Sequence, residues 1–312
     1  MRIEYHRTLI ADTARNAAFH RALKELIRPG ETVVADIGAG TGLLGLMAAQ
    51  LGAREVFLYE VGEIAGVAER AIERSGFRNC HLMPCHSMEM QDPPKVDLIV
   101  SETLGNYALE EDIIATLNDA RKRFLKKGGQ ILPRAISQFV QPVTGARLHK
   151  ELTVWSEAGQ HFGLDLSDAE LMSLNNVYVR QLREDELLAG GARQWDQIDL
   201  TRHNSGKRSG DITWQLEEDV TVYGFAVWWD AELTGDVSIS TAPLATPTHW
   251  EQLYFPVEKP LEVEKGGKLK FVITSRSSPE AGTHFKWQAE CLSAKGRSAG
   301  RVMMDLDKGY LP

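Results

Sequence analysis

Cysteine is scarce in this 312-residue chain, with only Cys80, Cys85 and Cys291. Three thiols make neither a disulfide framework nor the paired spacing of a zinc site, so the expectation is a reducing compartment and no metal. Long apolar runs are lacking as well. The start, Met1-Arg2-Ile3-Glu4-Tyr5, has no signal-peptide character, and no later run is long enough to span a bilayer. The expectation is a cytoplasmic protein without membrane contact. Positive charge is in deficit: 35 Lys and Arg against 43 Asp and Glu give a net charge of −8. That balance argues against a nucleic-acid surface and suits a cationic substrate. Internal repeats and low-complexity linkers are absent. What remains, 43% hydrophobic and 25% charged residues, describes a globular chain long enough for two cores.

The first part alternates in period. Residues 1–30 read as helical, with Leu9-Ile10, Ala14, Ala17-Ala18, Leu23 and Leu26-Ile27 on one face and Pro29-Gly30 as the stop. Strands are expected at 32–37, 55–60, 81–83, 96–100 and 128–133, with helices at 43–51, 63–75 and 112–125 between them. Strands alternating with helices mean an α/β fold with a doubly wound parallel sheet. After Pro133 the texture changes to β-branched and aromatic alternation at 136–140, 211–216, 222–229, 237–240, 268–273 and 285–289. This is a sandwich or barrel, interrupted by a helical insertion at about 151–190. The division expected is 1–133 and 134–312.

The chemistry-bearing residues cluster at strand ends. Asp36-Ile37-Gly38-Ala39-Gly40-Thr41-Gly42 joins a strand to a helix, and its glycines let a ligand approach the backbone at a helix N-terminus. Gly40-Thr41-Gly42-Leu43-Leu44-Gly45 formally matches a dinucleotide fingerprint. Asp36 at the strand end, however, would repel phosphates and favours a cofactor bearing an amino-acid cation. S-adenosylmethionine fits; a nicotinamide dinucleotide does not. Glu60 closes the next strand, where an acid accepts hydrogen bonds from ribose hydroxyls. Met88-Glu89 follows the third strand at the same rim, and Glu89 is either an acceptor for an adenine amino group or an exposed loop acid.

The run Ser101-Glu102-Thr103-Leu104-Gly105-Asn106-Tyr107-Ala108-Leu109-Glu110-Glu111 leaves a buried strand and enters a helix. Folded back, it would bring Glu102 and Glu111 together to grip a cation with several planar N–H donors, and a guanidinium is the natural match. The plain alternative is two solvated acids at a helix start. Two further features read first as ordinary structure. Asp12 and Arg15, three apart on the first helix, suit a surface ion pair worth a few tenths of a kcal/mol. The pair His249-Trp250 suits packing.

Taken together, these residues resemble the protein arginine methyltransferases over nearly the whole chain. Val34 to Gly42 looks like that family's S-adenosylmethionine motif, and Ser101 to Glu111 like its double-glutamate loop. Thr248-His249-Trp250 is similar to its Thr-His-Trp loop, and His6 to Arg15 to its amino-terminal helix motif. The resemblance implies a Rossmann-like methyltransferase domain, then a β-barrel-like domain with a helical dimerisation arm, in a homodimer. It implies that Arg15 pairs with the cofactor carboxylate, that Gly38, Gly40 and Gly42 shape the pocket, that Glu60 binds ribose and that Glu89 binds adenine. Glu102 and Glu111 would clamp the substrate guanidinium, and Asp12 with His249 would relay the departing proton. Departures are plain. Thr103-Leu104 stands where the family has Trp-Met, Leu9 stands where it has Met, no aromatic motif precedes the first helix, and no accessory domain is present. The expected function is therefore methyl transfer from S-adenosylmethionine to arginine in a protein or peptide. A small guanidine or amine acceptor, or a catalytically idle cofactor-binding scaffold, are the alternatives.

Overall fold

The structure is a computed structural model and describes residues 3–308. Helices α1 (Ile3–Ala11) and α2 (Thr13–Leu26) lead into β1 (Val33–Ile37), α3 (Leu43–Gln50), β2 (Glu55–Tyr59), α4 (Ala65–Ser75), β3 (Cys80–Met83), β4 (Val96–Val100), α5 (Ile113–Arg123) and β5 (Leu125–Leu132). The five strands are parallel, in the order β3-β2-β1-β4-β5. Every residue of β1 is buried, as a central strand covered on both faces requires. The chain moves outward from β1 to β3 and then crosses back to build β4 and β5. Right-handed crossovers therefore put α3 and α4 on one face and α5 on the other. Strand order reverses between β1 and β4, and the crevice above that point is where such sheets bind ligands. Gly42 opens α3 at φ 84°, a backbone conformation that side chains with a Cβ rarely take.

From Ala135 onward the pairing is antiparallel. β6 (Ala135–Val143) is followed by the short helices α6 (Arg147–Leu152), α7 (Val154–Phe162) and α8 (Ser167–Leu174). Then come β7 (Tyr178–Arg180), β8 (Arg193–Asp199), β9 (Lys207–Gln215), β10 (Val220–Thr234), β11 (Val237–Ser240), β12 (Gln252–Val263), β13 (Lys268–Ser278), β14 (Gly282–Leu292) and β15 (Ser298–Asp305). One sheet runs β7-β12-β10-β6-β8 with β11 on β10; the other runs β15-β14-β13-β9. Their inner faces meet in an aromatic core, where Phe225 lies with its ring centroid 4.2 Å from Phe271 and 5.5 Å from Trp287. Strand β8 comes alongside β9, and β12 alongside β15, which closes the pair into a barrel-like shape. The apolar interiors of the parallel and antiparallel parts are continuous. Among the described residues, no helix is long and apolar enough to cross a membrane.

Several expectations need correction. The single helix over 1–30 is two, because Asp12 accepts a hydrogen bond from the Arg15 N–H and caps α2; a capping aspartate offers the backbone an alternative to continuing the helix. The helical insertion spans 147–174 rather than 151–190, and from Tyr178 the chain is already a strand on β12. β5 starts at Leu125, where the helix was expected to end. Strands β8, β12 and β15 were not foreseen. β12 carries Pro256 and Pro260, which ordinarily argue against a central strand. Pro256 sits opposite Gly224 where the register shifts, so its missing N–H falls at an irregularity. β15 is rich in small and polar residues and pairs only with β14, at an edge that asks little of side-chain burial.

Phe225 is fully buried at the centre of the barrel core. Replacing it with Ala should cost about 3–5 kcal/mol. Urea denaturation at constant m-value would show this, and a loss below about 1 kcal/mol would mean that the site collapses or is not central.

Candidate active site

One cavity of about 830 Å³ lies above the β1–β4 crevice. Its walls come from α1, the glycine loop, the end of β2, the loop 102–111 and residues 249–251 of the barrel.

The loop after β4 is tied to the barrel through its main chain. Trp250 Nε1 donates to the Leu104 carbonyl at 2.8 Å and Trp229 Nε1 to the Gly105 carbonyl at 3.0 Å. The Glu251 N–H donates to Asn106 Oδ1 at 2.9 Å. The two indoles pack edge-on, 4.9 Å apart. At the base of the loop, Ser101 Oγ donates to the Ile37 carbonyl at 2.9 Å, joining β4 to β1 beside the glycines. Glu102 and Glu111 thus both face the cavity, from opposite ends of a loop held at its middle.

Asp12 and His249 meet across the same boundary. Asp12 Oδ2 lies 2.8 Å from both the His249 N–H and His249 Nδ1, while Oδ1 takes the Arg15 N–H at 2.9 Å. Burial works against the charge on Asp12. The His249 ring and the two backbone donors outweigh it and hold the carboxyl below its ordinary value. An ionised Asp12 fixes the proton of a neutral His249 on Nδ1 and leaves Nε2 as a lone pair. The surface ion-pair reading of Asp12 and Arg15 is corrected: both are buried, and the Arg15 guanidinium turns to Glu102 instead. Arg15 Nε donates to Glu102 Oε2 at 2.8 Å, with a second contact from Nη2. Glu102 Oε1 accepts from the Leu104 N–H at 3.3 Å.

On the other side, Asp36 is buried at the end of β1 and accepts the Gly45 N–H at 2.8 Å. Burial pushes its carboxyl up to about 7. Glu60 bridges the glycine loop to the chain beyond β2, accepting from the Gly40 N–H at 2.8 Å and the Gly62 N–H at 2.7 Å. Gly38 and Gly40 line the cavity; Gly42 does not and serves as the turn into α3. Met88 and Glu89 fall outside the lining, both exposed on a short 3₁₀ turn, and His86 just before them lines the cavity instead.

The antiparallel half settles which kind of protein this is. The family described as the arginine methyltransferase oligomerization subdomain matches residues 135–288. The chain belongs to the protein arginine methyltransferase family. Residues 18–145 also match the ribosomal protein L11 methyltransferase family. Among curated relatives, protein arginine N-methyltransferase 6 of Xenopus tropicalis is 28% identical over 296 residues, covering 91% of this chain and 87% of that protein. Among solved structures, the Trypanosoma brucei PRMT1 enzyme–prozyme complex with AdoHcy superposes with a TM-score of 0.83 at 20% identity, over 96% of this chain and 98% of that one. Arabidopsis thaliana protein arginine methyltransferase 10 gives 0.81 at 21%, over 97% of each.

One cavity residue of this family member carried no role in the sequence reading. His6 is buried, its ring lies against Gly40, and among the described residues its Nε2 has no hydrogen-bond partner. Burial lowers its pKa, although Glu60 nearby opposes this. Its place in the series His6, Leu9, Asp12, Arg15 was the available signal.

Glu111 keeps solvent contact, but its carboxylate stands in a crowded wall. Burial first, and then the charges of Glu102 and Glu110, push it up to about 7 from 4.5. An acid whose folded value is raised leaves stability whole below the unfolded value and removes it as pH climbs toward the folded one. Asp36 acts in the same sense, so stability should fall between about pH 4 and pH 7. Glu111→Gln should flatten that slope in urea titrations; an unchanged slope would show that Glu111 titrates normally.

Proposed function

We propose that this protein transfers a methyl group from S-adenosylmethionine to a guanidino nitrogen of arginine in a protein or peptide. The observation that carries this reading is the cavity itself. It brings together two carboxylates, Glu102 and Glu111, a buried cation, Arg15, paired with the first of them, and a glycine loop beside them. The residues suit S-adenosylmethionine. Arg15 and the unpartnered His6 Nε2 are donors for a carboxylate, and both Glu60 oxygens keep lone pairs for ribose hydroxyls. A Cβ on Gly38 would stand 2.6 Å from the Thr103 methyl carbon, so that approach is open only because the residue is glycine. When bound, the cofactor supplies a methyl group already activated by its sulfonium. The solved Trypanosoma brucei relative was obtained with AdoHcy.

What the chain must add is alignment and charge. A guanidinium stays protonated at ordinary pH and is a weak nucleophile because its lone pairs are delocalised. Carboxylates on two sides fix its plane and draw positive charge toward the far nitrogens, leaving the near one to attack. Glu102 reaches Arg15 through Oε2, which leaves further lone-pair sites on the carboxylate for the substrate. The methylated product keeps its charge, so one proton must leave. His249, steadied by Asp12 with Nε2 as the lone pair, is the carrier.

The working unit is a homodimer. The family subdomain matched is an oligomerization subdomain. The helices α7 and α8 expose Trp155, Phe162, Leu164 and Met172 around their connection, apolar area that a second copy would cover. Cys80, Cys85 and Cys291 are free thiols, which supports a reducing compartment, the cytoplasm.

Mass spectrometry of an Arg-Gly-rich peptide, its Lys-for-Arg version and free arginine, each incubated with S-adenosylmethionine, tests the acceptor. A gain of one or two methyl masses on the Arg peptide alone is expected. Transfer to free arginine alone would move the reading to a small guanidine, and no transfer with the cofactor bound would leave an idle scaffold. Glu102→Gln should abolish turnover while S-adenosylhomocysteine still binds by calorimetry; normal turnover would sink the clamp.

A further inference from the structure

Tyr107 lies midway along the loop 102–111 and touches neither end of the cavity. Its ring enters the barrel between the two sheets, edge-on to Phe285 at 4.7 Å, and is almost wholly buried. Around its hydroxyl stand four polar side chains, two from each sheet. Gln138 on β6 is the register partner of Asp196 on β8, and Ser275 on β13 is that of Arg208 on β9. Gln138 Nε2 donates to Asp196 Oδ2 at 2.9 Å and to the Tyr107 hydroxyl at 3.4 Å. Arg208 Nε donates to the same Asp196 oxygen at 2.7 Å. The Tyr107 hydroxyl lies 2.5 Å from Ser275 Oγ. Since it accepts from Gln138, its own hydrogen is left for Ser275. Gln138 and Ser275 are buried as deeply as the tyrosine.

Apolar packing alone would have filled this space at less risk, because a buried polar group whose partner is lost is destabilising. A chain of donors and acceptors does something that packing does not, even with Gln138 Oε1 left without a partner among the described residues: it favours the tyrosine at the depth where its hydroxyl meets both Gln138 and Ser275. Depth matters here because Tyr107 is joined to both glutamates by short stretches of the same loop.

We infer that Tyr107 is a positioning residue for the acceptor site. Plugged into the barrel and held by the Arg208–Asp196–Gln138 chain and Ser275, it sets the separation of Glu102 and Glu111 that a planar guanidinium requires. The inference rests on reading those glutamates as the clamp. Asp196 and Arg208 touch no ligand on this account, yet their loss should be felt in acceptor binding and not in cofactor binding.

The test compares Tyr107→Phe and Asp196→Asn with the parent protein in steady-state kinetics on the Arg-Gly peptide, alongside calorimetry with S-adenosylhomocysteine. Both variants should raise the peptide KM about tenfold or more while the cofactor Kd stays within about twofold. The double variant should be no worse than the poorer single one, since both break the same chain. Ser275→Ala serves as the second probe if Tyr107→Phe fails to fold. A peptide KM within about twofold of the parent, or KM and cofactor Kd rising together, overturns the inference. If Glu102→Gln is inactive and Tyr107→Phe behaves as the parent, only the positioning role falls. If Glu102→Gln turns over normally, the clamp reading falls first.

Discussion

The carboxylate of Asp12 holds two parts of the chain in one arrangement. It caps α2, and by doing so it ends α1 and turns that helix over the glycine loop. Its second oxygen takes both the backbone N–H and the ring nitrogen of His249, a residue 237 positions away on the barrel. One ionised group therefore fixes the entry to the cavity, the tautomer of the histidine and the docking of the two halves. Because it is buried and multiply hydrogen-bonded, its contribution is present above the ordinary aspartate range and is lost as pH falls through its lowered value. The acids on the cavity wall behave in the opposite sense. Asp36 and Glu111 are both pushed up to about 7, first by burial and then by the neighbouring carboxylates.

Arg15 offsets part of that charge. Its guanidinium faces Glu102 in the structure described here, so the protein's own arginine sits against the acid that binds the substrate's in the proposed reaction.

The parallel sheet, the glycine loop and the acids at the strand ends were legible in the sequence because each depends on local pattern: apolar strand, turn glycine, helical period. The pairing of Asp12 with His249 followed from the family resemblance and not from spacing, which pointed to a surface ion pair. What escaped was set by distant partners. β12 looks broken by Pro256 and Pro260, and only the bulge opposite Gly224 makes room for the first of them. β15 is too polar to announce itself and exists because β14 offers an edge. Met88 and Glu89 were placed at the rim by their position after β3, and a short turn carries them away from it while presenting His86. Tyr107 is invisible to any pattern, since the linked polar groups around its hydroxyl come from four strands spread over residues 138–275.

The barrel grips the acceptor loop at the carbonyls of Leu104 and Gly105. Main-chain oxygens are the same in every amino acid. Positions 103 and 104 can therefore change identity without releasing the loop. A lineage can remodel the width and polarity of the acceptor pocket in this way while the glutamates stay in place. Anchorage by backbone separates what evolution is free to vary from what the chemistry needs held still.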